Sequence, residues 1–201
     1  MTVAALILAA GAGRRMGAPK ALIRDADGRS WVERAVQVAA DAGCRSVVVV
    51  SGAAGDQVEA LLDEAVLKQA GACVIRNEQW AAGMGGSLRA GLSVLHERPG
   101  VTAALVCLVD LPDVGADVLR RVALGARRDT LSRATYGGSP GHPVLLGADH
   151  FARLLASDST DGAGGYLREH GARAVECGDL ATGRDADTVA RLPTGHRLPR
   201  G

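Results

Sequence analysis

Aromatic side chains are scarce in this 201-residue chain, two Trp, two Tyr and one Phe. Stacking against a flat ring is therefore not expected as its main means of recognition, and backbone contacts must carry more of it. Charge of one sign is also lacking: 23 Lys and Arg stand against 22 Asp and Glu, and the basic residues are spread along the chain. No electrostatic footprint for nucleic acid stands out, so a small ligand is the better expectation. The four cysteines, Cys44, Cys73, Cys107 and Cys177, are far apart, show no paired CxxC spacing and sit in or beside apolar runs. They read as reduced core thiols of a cytosolic protein. The N-terminal apolar run, Val3 to Ala9, is short, lacks a basic leader and runs straight into glycines, so neither a signal peptide nor a membrane span is expected and the location reads as cytoplasmic. Internal repeats and low-complexity linkers are absent. The length suits one domain with a substantial core, residues 1–192, followed by a flexible tail over 193–201.

What is present is concentrated between Ala5 and Leu22, ALILAAGAGRRMGAPKAL. An apolar strand ends abruptly in Gly11, Gly13 and Gly17, with Arg14, Arg15 and Lys20 in the same few residues. A buried strand needs aliphatic residues, whereas a loop that wraps phosphates needs residues without Cβ atoms, so that successive N–H groups can point at one anion. Two other readings stand beside this one. The glycines also suit a plain strand-to-helix turn, and Gly11-x-Gly13 is a fragment of the dinucleotide-binding fingerprint. That fingerprint expects an acidic residue at the end of the second strand, where this chain has Val50, Ser51 and Gly52.

Periodicity predicts alternating elements. Helices are expected over Trp31–Ala42, Asp56–Leu67, Gly86–His96, Ala116–Leu124 and Phe151–Ala156, with Tyr166–His170 closing another. Strands are expected over Ser46–Val50, Cys73–Ile75, Ala103–Val109, Val144–Leu146 and Ala174–Cys177, and Arg127 to Pro143 reads as polar, glycine-rich sequence. Four consecutive valines, apolar on both faces, indicate a central parallel strand covered by helices. The fold class is therefore α/β, a three-layer sandwich with a mostly parallel sheet, Rossmann-like in its alternation.

Asp110 follows the longest apolar strand and lies where open α/β sheets bind ligands. Asp113 suits a cap for the helix near Ala116. In Asn77 to Gly91, NEQWAAGMGGSLRAG, residues Gly85, Gly86 and Ser87 are placed to present N–H groups and a hydroxyl at a helix N-terminus, or simply to cap it. His142, between Gly141 and Pro143, is held in extended backbone and suits a group aimed into a cleft or one that bonds a loop. Asp185 and Asp187, two apart in extended chain, face the same way.

Four of these stretches, in this order, resemble the MobA-like NTP transferase family, especially its molybdenum cofactor cytidylyltransferase branch. The Leu-Ala-Ala-Gly, Arg-Met-Gly and Lys signature is matched by Leu8, Ala9, Ala10, Gly11, Arg15, Met16, Gly17 and Lys20. Gly83, Met84, Ser87 and Leu88 match a Gly-Met-x-x-Ser-Leu element. Gly141, His142 and Pro143 match Gly-His-Pro, and Asp185, Asp187 and Thr188 match a late Asp-x-Asp-Thr.

The resemblance implies a nucleotide-diphospho-sugar transferase-like fold and transfer of a nucleoside monophosphate, CMP rather than GMP, from NTP to a phosphorylated acceptor such as molybdopterin, with release of pyrophosphate. It implies nucleotide binding by Leu8, Ala9, Ala10, Gly11, Ala12, Gly13, Arg14, Arg15, Lys20, Gly83, Met84 and Ser87, and catalytic roles for Arg15, Lys20 and Asp110. It further implies Mg²⁺ on Asp110 and Asp187, with Asp185 the second choice, and acceptor binding by His142. CTP is favoured because guanylyl-transferring members have glycine where this chain has Ala10. One departure matters: Gly164 stands where relatives carry an arginine, which implies a different or less charged acceptor; Val189 in place of a proline alters only a helix start. The late Cys-Gly-Asp-Leu-x-x-Gly-Arg-Asp text also resembles NAD(P)H-dependent oxidoreductases of the nicotine blue type. A nucleotide-binding module without turnover is the third reading.

Overall fold

Four short aliphatic strands set the frame: β1 (Thr2–Leu8), β2 (Val47–Ser51), β3 (Ala72–Arg76) and β4 (Val101–Leu108), which pair in parallel in the order β3-β2-β1-β4. The computed structural model describes residues 2–199, the side chains at 65 and 69 excepted. Every residue of β2 is buried, as a strand apolar on both faces requires. Parallel neighbours need crossovers, supplied by α1 (Trp31–Asp41), α2 (Gly55–Leu61), α3 (Glu64–Ala70) and α4 (Met84–His96). Beyond β4 come α5 (Ala116–Ala123), the strands β5 (Leu131–Tyr136) and β6 (Ser139–Gly147), the short helices α6 (Phe151–Leu155) and α7 (Gly164–Glu169), and β7 (Arg173–Glu176). They extend the sheet to β3-β2-β1-β4-β6-β5-β7, with β6 antiparallel to both neighbours and β5 parallel to β7.

Because side chains alternate along a strand, β1 feeds two cores. Ala5 and Ile7, with Ala9 just beyond the strand, pack with Val32 and Val36 of α1, Val58 of α2 and Leu119 of α5. Ala4, Leu6 and Leu8 pack with Leu88 and Leu92 of α4, Leu154 of α6 and Leu167 of α7. The result is the three-layer α/β architecture expected from the sequence. Among the described residues, no helix is long and apolar enough to cross a membrane.

Three local differences from the sequence reading have physical causes. The helix expected over Asp56–Leu67 is two helices, because Asp63 turns N-cap and its carboxylate accepts from Val66 N–H at 2.9 Å. The polar stretch before Pro143 is a β-hairpin: Gly137 and Gly138, at φ of 58° and 79°, form the two-residue turn that suits the twist of paired strands. The strand expected over Val144–Leu146 is thus the inner part of the nine-residue β6. Of the segment expected as a tail, residues 193–199 lie among those described: Arg197 exchanges two backbone hydrogen bonds with Arg24 at 2.9 Å each, and Trp31 Nε1 donates to His196 Nδ1 at 3.0 Å.

Candidate active site

Leu8 and Leu108 are register partners, so the chain leaves β1 and β4 side by side at their carboxyl ends. From β1 it enters the glycine loop. Among the described residues, none of the six N–H groups from Ala10 to Arg15 donates to a protein acceptor. The loop is nonetheless held in shape. Met16 and Gly17 both donate to the Gly13 carbonyl, at 2.9 and 3.0 Å. Gly13 has φ +60°, and a Cβ there would fall inside the Ala18 carbonyl. Met16, 2% exposed, is buried with Ile23, Trp31 and Ala186. A rigid loop with unclaimed donors is what an anion cradle requires.

Beside it, Lys20 Nζ donates to Asp110 Oδ2 at 2.6 Å and to Asp187 Oδ1, and Arg15 Nη2 lies 3.0 Å from Asp187 Oδ2. The late segment is brought here by Ala186 N–H, which donates to the Asp110 carbonyl at 3.0 Å, and by Thr182, whose N–H and hydroxyl both donate to Asp113 Oδ2 at 2.6 Å. Asp113 thus ties a loop and does not cap a helix: Gly115 is the N-cap of α5. Asp185 is half exposed and lies 3.7 Å from Arg191. Burial opposes the charge on Lys20, but hydrogen bonds and attraction from both aspartates more than offset it and hold its pKa above the ordinary lysine value. The Lys20 hydrogen bond holds Asp187 below the usual carboxylate range, against its partial burial and with help from Arg15. Asp110 Oδ1 is buried with no hydrogen-bond partner. An orphaned carboxylate oxygen beside a second carboxylate is a site suited to a cation.

These groups face a cavity of about 410 Å³. Of the residues singled out in the sequence, Leu8, Ala9, Ala10, Gly11, Gly13, Arg14, Arg15, Lys20, Gly83, Met84, Ser87, Asp110 and Asp187 line it, while Ala12 and His142 do not. His142, on β6, instead lines two smaller cavities, one of them about 190 Å³. Burial lowers its pKa to about 4, aided by the charge of Arg133 and opposed by Asp110, so the imidazole is neutral at pH 7. Gly85 does not present its N–H to a ligand as expected, since it donates to the Thr160 carbonyl at 2.8 Å. Ser87 Oγ accepts from Asn77 Nδ2 at 3.0 Å and keeps its own proton to donate. Trp80, Leu108 and Val109 also line the cavity and were missed. The available signal was Trp80 itself, one of two tryptophans, standing in a polar loop four residues before Met84.

The MobA-like NTP transferase domain model matches residues 5–174. Nicotine blue oxidoreductase of Paenarthrobacter nicotinovorans is 34% identical over 201 residues, covering 94% of each chain. Among solved structures, Rv0371c of Mycobacterium tuberculosis H37Rv is similar with a TM-score of 0.77 and 26% identity, covering 95% of each chain. Another structure of Rv0371c is a complex with manganese. A nucleotidyl transferase from Methanothermobacter shares the fold with a TM-score of 0.76 at 24% identity, covering 94% of each chain. With the glycine loop, the lysine and the paired aspartates gathered at one cleft, and most of its length matched, the chain belongs to the MobA-like NTP transferase family and is a nucleotidyltransferase.

Proposed function

We propose that the protein transfers CMP from CTP to a phosphorylated acceptor of the molybdopterin class and releases pyrophosphate. The observation that carries this reading is the loop from Ala10 to Arg15, whose N–H groups have no protein acceptor among the described residues, lining one cleft with Asp110, whose Oδ1 is orphaned. In it, the loop N–H groups hold the triphosphate, and Lys20 and Arg15 swing from the carboxylates to the phosphate oxygens. Each such charge-assisted bond contributes roughly 1.5–3 kcal/mol. An acceptor phosphate oxygen attacks the α-phosphorus, a new P–O bond forms in line as the α–β bridge breaks, and the electron pair leaves with pyrophosphate. Lys20 and Arg15 meet the charge that builds on that leaving group.

Among the described residues, no three His, Cys, Asp or Glu side chains converge to hold a metal. Two carboxylates are what a divalent cation needs when substrate phosphates and water complete its shell, and Asp110 and Asp187 would hold it. When bound, such an ion, Mg²⁺ in this reading, neutralises phosphate charge and aligns the reacting groups. The choice of CTP rests on Ala10, which lines the cleft where the resemblance gives guanylyl-transferring members a glycine. Trp80 offers a face for the base, and Ser87 a hydroxyl.

The 34% identity with nicotine blue oxidoreductase favours a second reading, in which the same cleft takes NAD(P)H. The two aspartates weigh against it, because they repel a dinucleotide pyrophosphate unless a cation intervenes. Pyrophosphate release from CTP, with Mg²⁺ and molybdopterin supplied, tests the first reading, and replacing Ala10→Gly should move preference toward GTP. Binding of CTP without any turnover would leave a nucleotide-binding module. NADPH oxidation with nicotine blue, and no consumption of CTP or GTP, would replace the transfer reading.

A further inference from the structure

Sheet register puts three residues in a row on one face next to the main cleft. Val106 of β4 lies opposite Val144 of β6, and Val144 lies opposite Arg133 of β5. Together with Leu88 and Leu167 they wall the cavity of about 190 Å³, which shares Leu8 and Met84 with the cleft. A charged residue in an otherwise apolar row needs a partner. Arg133 has none: its Nε is buried without a hydrogen bond, and among the described residues its side chain forms no ion pair.

Arg168 adds a second cation. It reaches back along α7 so that its Nη1 lies 3.8 Å from where a Cβ on Gly164 would be, and Arg133 feels its charge. Among the described residues Arg168 has no carboxylate partner either. The one acid on the cavity wall, Asp161, accepts from the Thr160 hydroxyl at 3.4 Å. The absence of a side chain at Gly164 therefore does not leave this side of the cleft without a cation.

We propose that this second cavity is the acceptor subsite and that Arg133, assisted by Arg168, grips an oxyanion on an acceptor whose adjoining body is small and apolar. The assignment rests on the transfer reading for the word acceptor, while the anion site stands on Arg133 alone. At about 190 Å³ the cavity is smaller than a pocket for a whole ligand and takes one end of a molecule. The remainder extends past Leu8 and Met84 toward the nucleotide.

The test is calorimetric titration of the full chain with phenyl phosphate, the glycine loop being filled beforehand with saturating pyrophosphate. Phenyl phosphate should still bind, phenol should not, and Arg133→Gln should weaken binding about tenfold or more. Arg168→Gln, at an exposed helix position, should weaken it by a smaller factor, and Arg133→Lys should fall between. Unchanged affinity in Arg133→Gln and Arg133→Lys, equal binding of phenol, or loss of all binding once pyrophosphate is present would overturn the subsite. A wild-type protein that binds phenyl phosphate in this way yet ignores CTP would instead sink the transfer reading and leave the anion site standing.

Discussion

At the ends of β1 and β4 the cleft is lined by main chain, a loop pinned by Gly13 and Met16 whose N–H groups have no protein acceptor among the described residues. On the β6-β5 side the smaller cavity is lined by side chains, among them Arg133 and the neutral His142 on strands closed by a glycine turn. The difference has consequences for how each half tolerates change. A main-chain cradle depends on backbone shape and fails when that shape is disturbed, whereas a side-chain pocket is altered one group at a time.

The largest expected effect breaks the cleft at its charge centre. Asp110→Asn keeps the shape but removes the charge beside the orphaned oxygen, and pyrophosphate release should fall on the order of 10³-fold in steady-state assays. Next comes the backbone. Gly13→Ala, forced against the Ala18 carbonyl at positive φ, should weaken CTP binding about tenfold or more and leave phenyl phosphate binding on the β5 side unchanged. Equal losses at both sites would erase the contrast between the halves. Trp80→Ala should cost about 1–3 kcal/mol of nucleotide affinity, the scale of one base–aromatic stack.

The smallest effect is on stability, and both groups that carry it lie on the β6-β5 side of the sheet. His142 has a folded pKa of about 4 against 6.5 ordinarily, so its neutral form favours the fold and that contribution erodes as pH falls from 6.5 toward 4. Glu176, on β7, accepts from Thr135 Oγ1 and from the N–H groups of Gly137, Gly138 and Gly178, which hold its pKa near 2 against 4.5. Its contribution is complete above pH 4.5 and is lost as pH falls toward 2. Thermal melts across pH should flatten over the first window in His142→Gln and over the second in Glu176→Gln.

The contrast also explains what could be read from the sequence. A main-chain cradle demands glycines at fixed spacing after an apolar strand, so the loop, Lys20 and the strand-end Asp110 were all legible. The valine run of β2 declared a strand buried on both faces. The hairpin was harder, because β5 mixes Ser132, Arg133 and Thr135 into a strand paired on both sides and its apolar signal is weak. Arg133 has no motif; only register with Val144 reveals which face it takes. The direction of the Gly85 N–H depends on Thr160, a contact no local spacing encodes.

The most direct test of the central claim is a calorimetric titration of the purified protein with CTP, GTP and NADPH, each with and without Mg²⁺. The account predicts tight binding of CTP that requires Mg²⁺ and loses that requirement's benefit in Asp187→Asn. Binding of NADPH that is indifferent to Mg²⁺, with no response to either triphosphate, would contradict it.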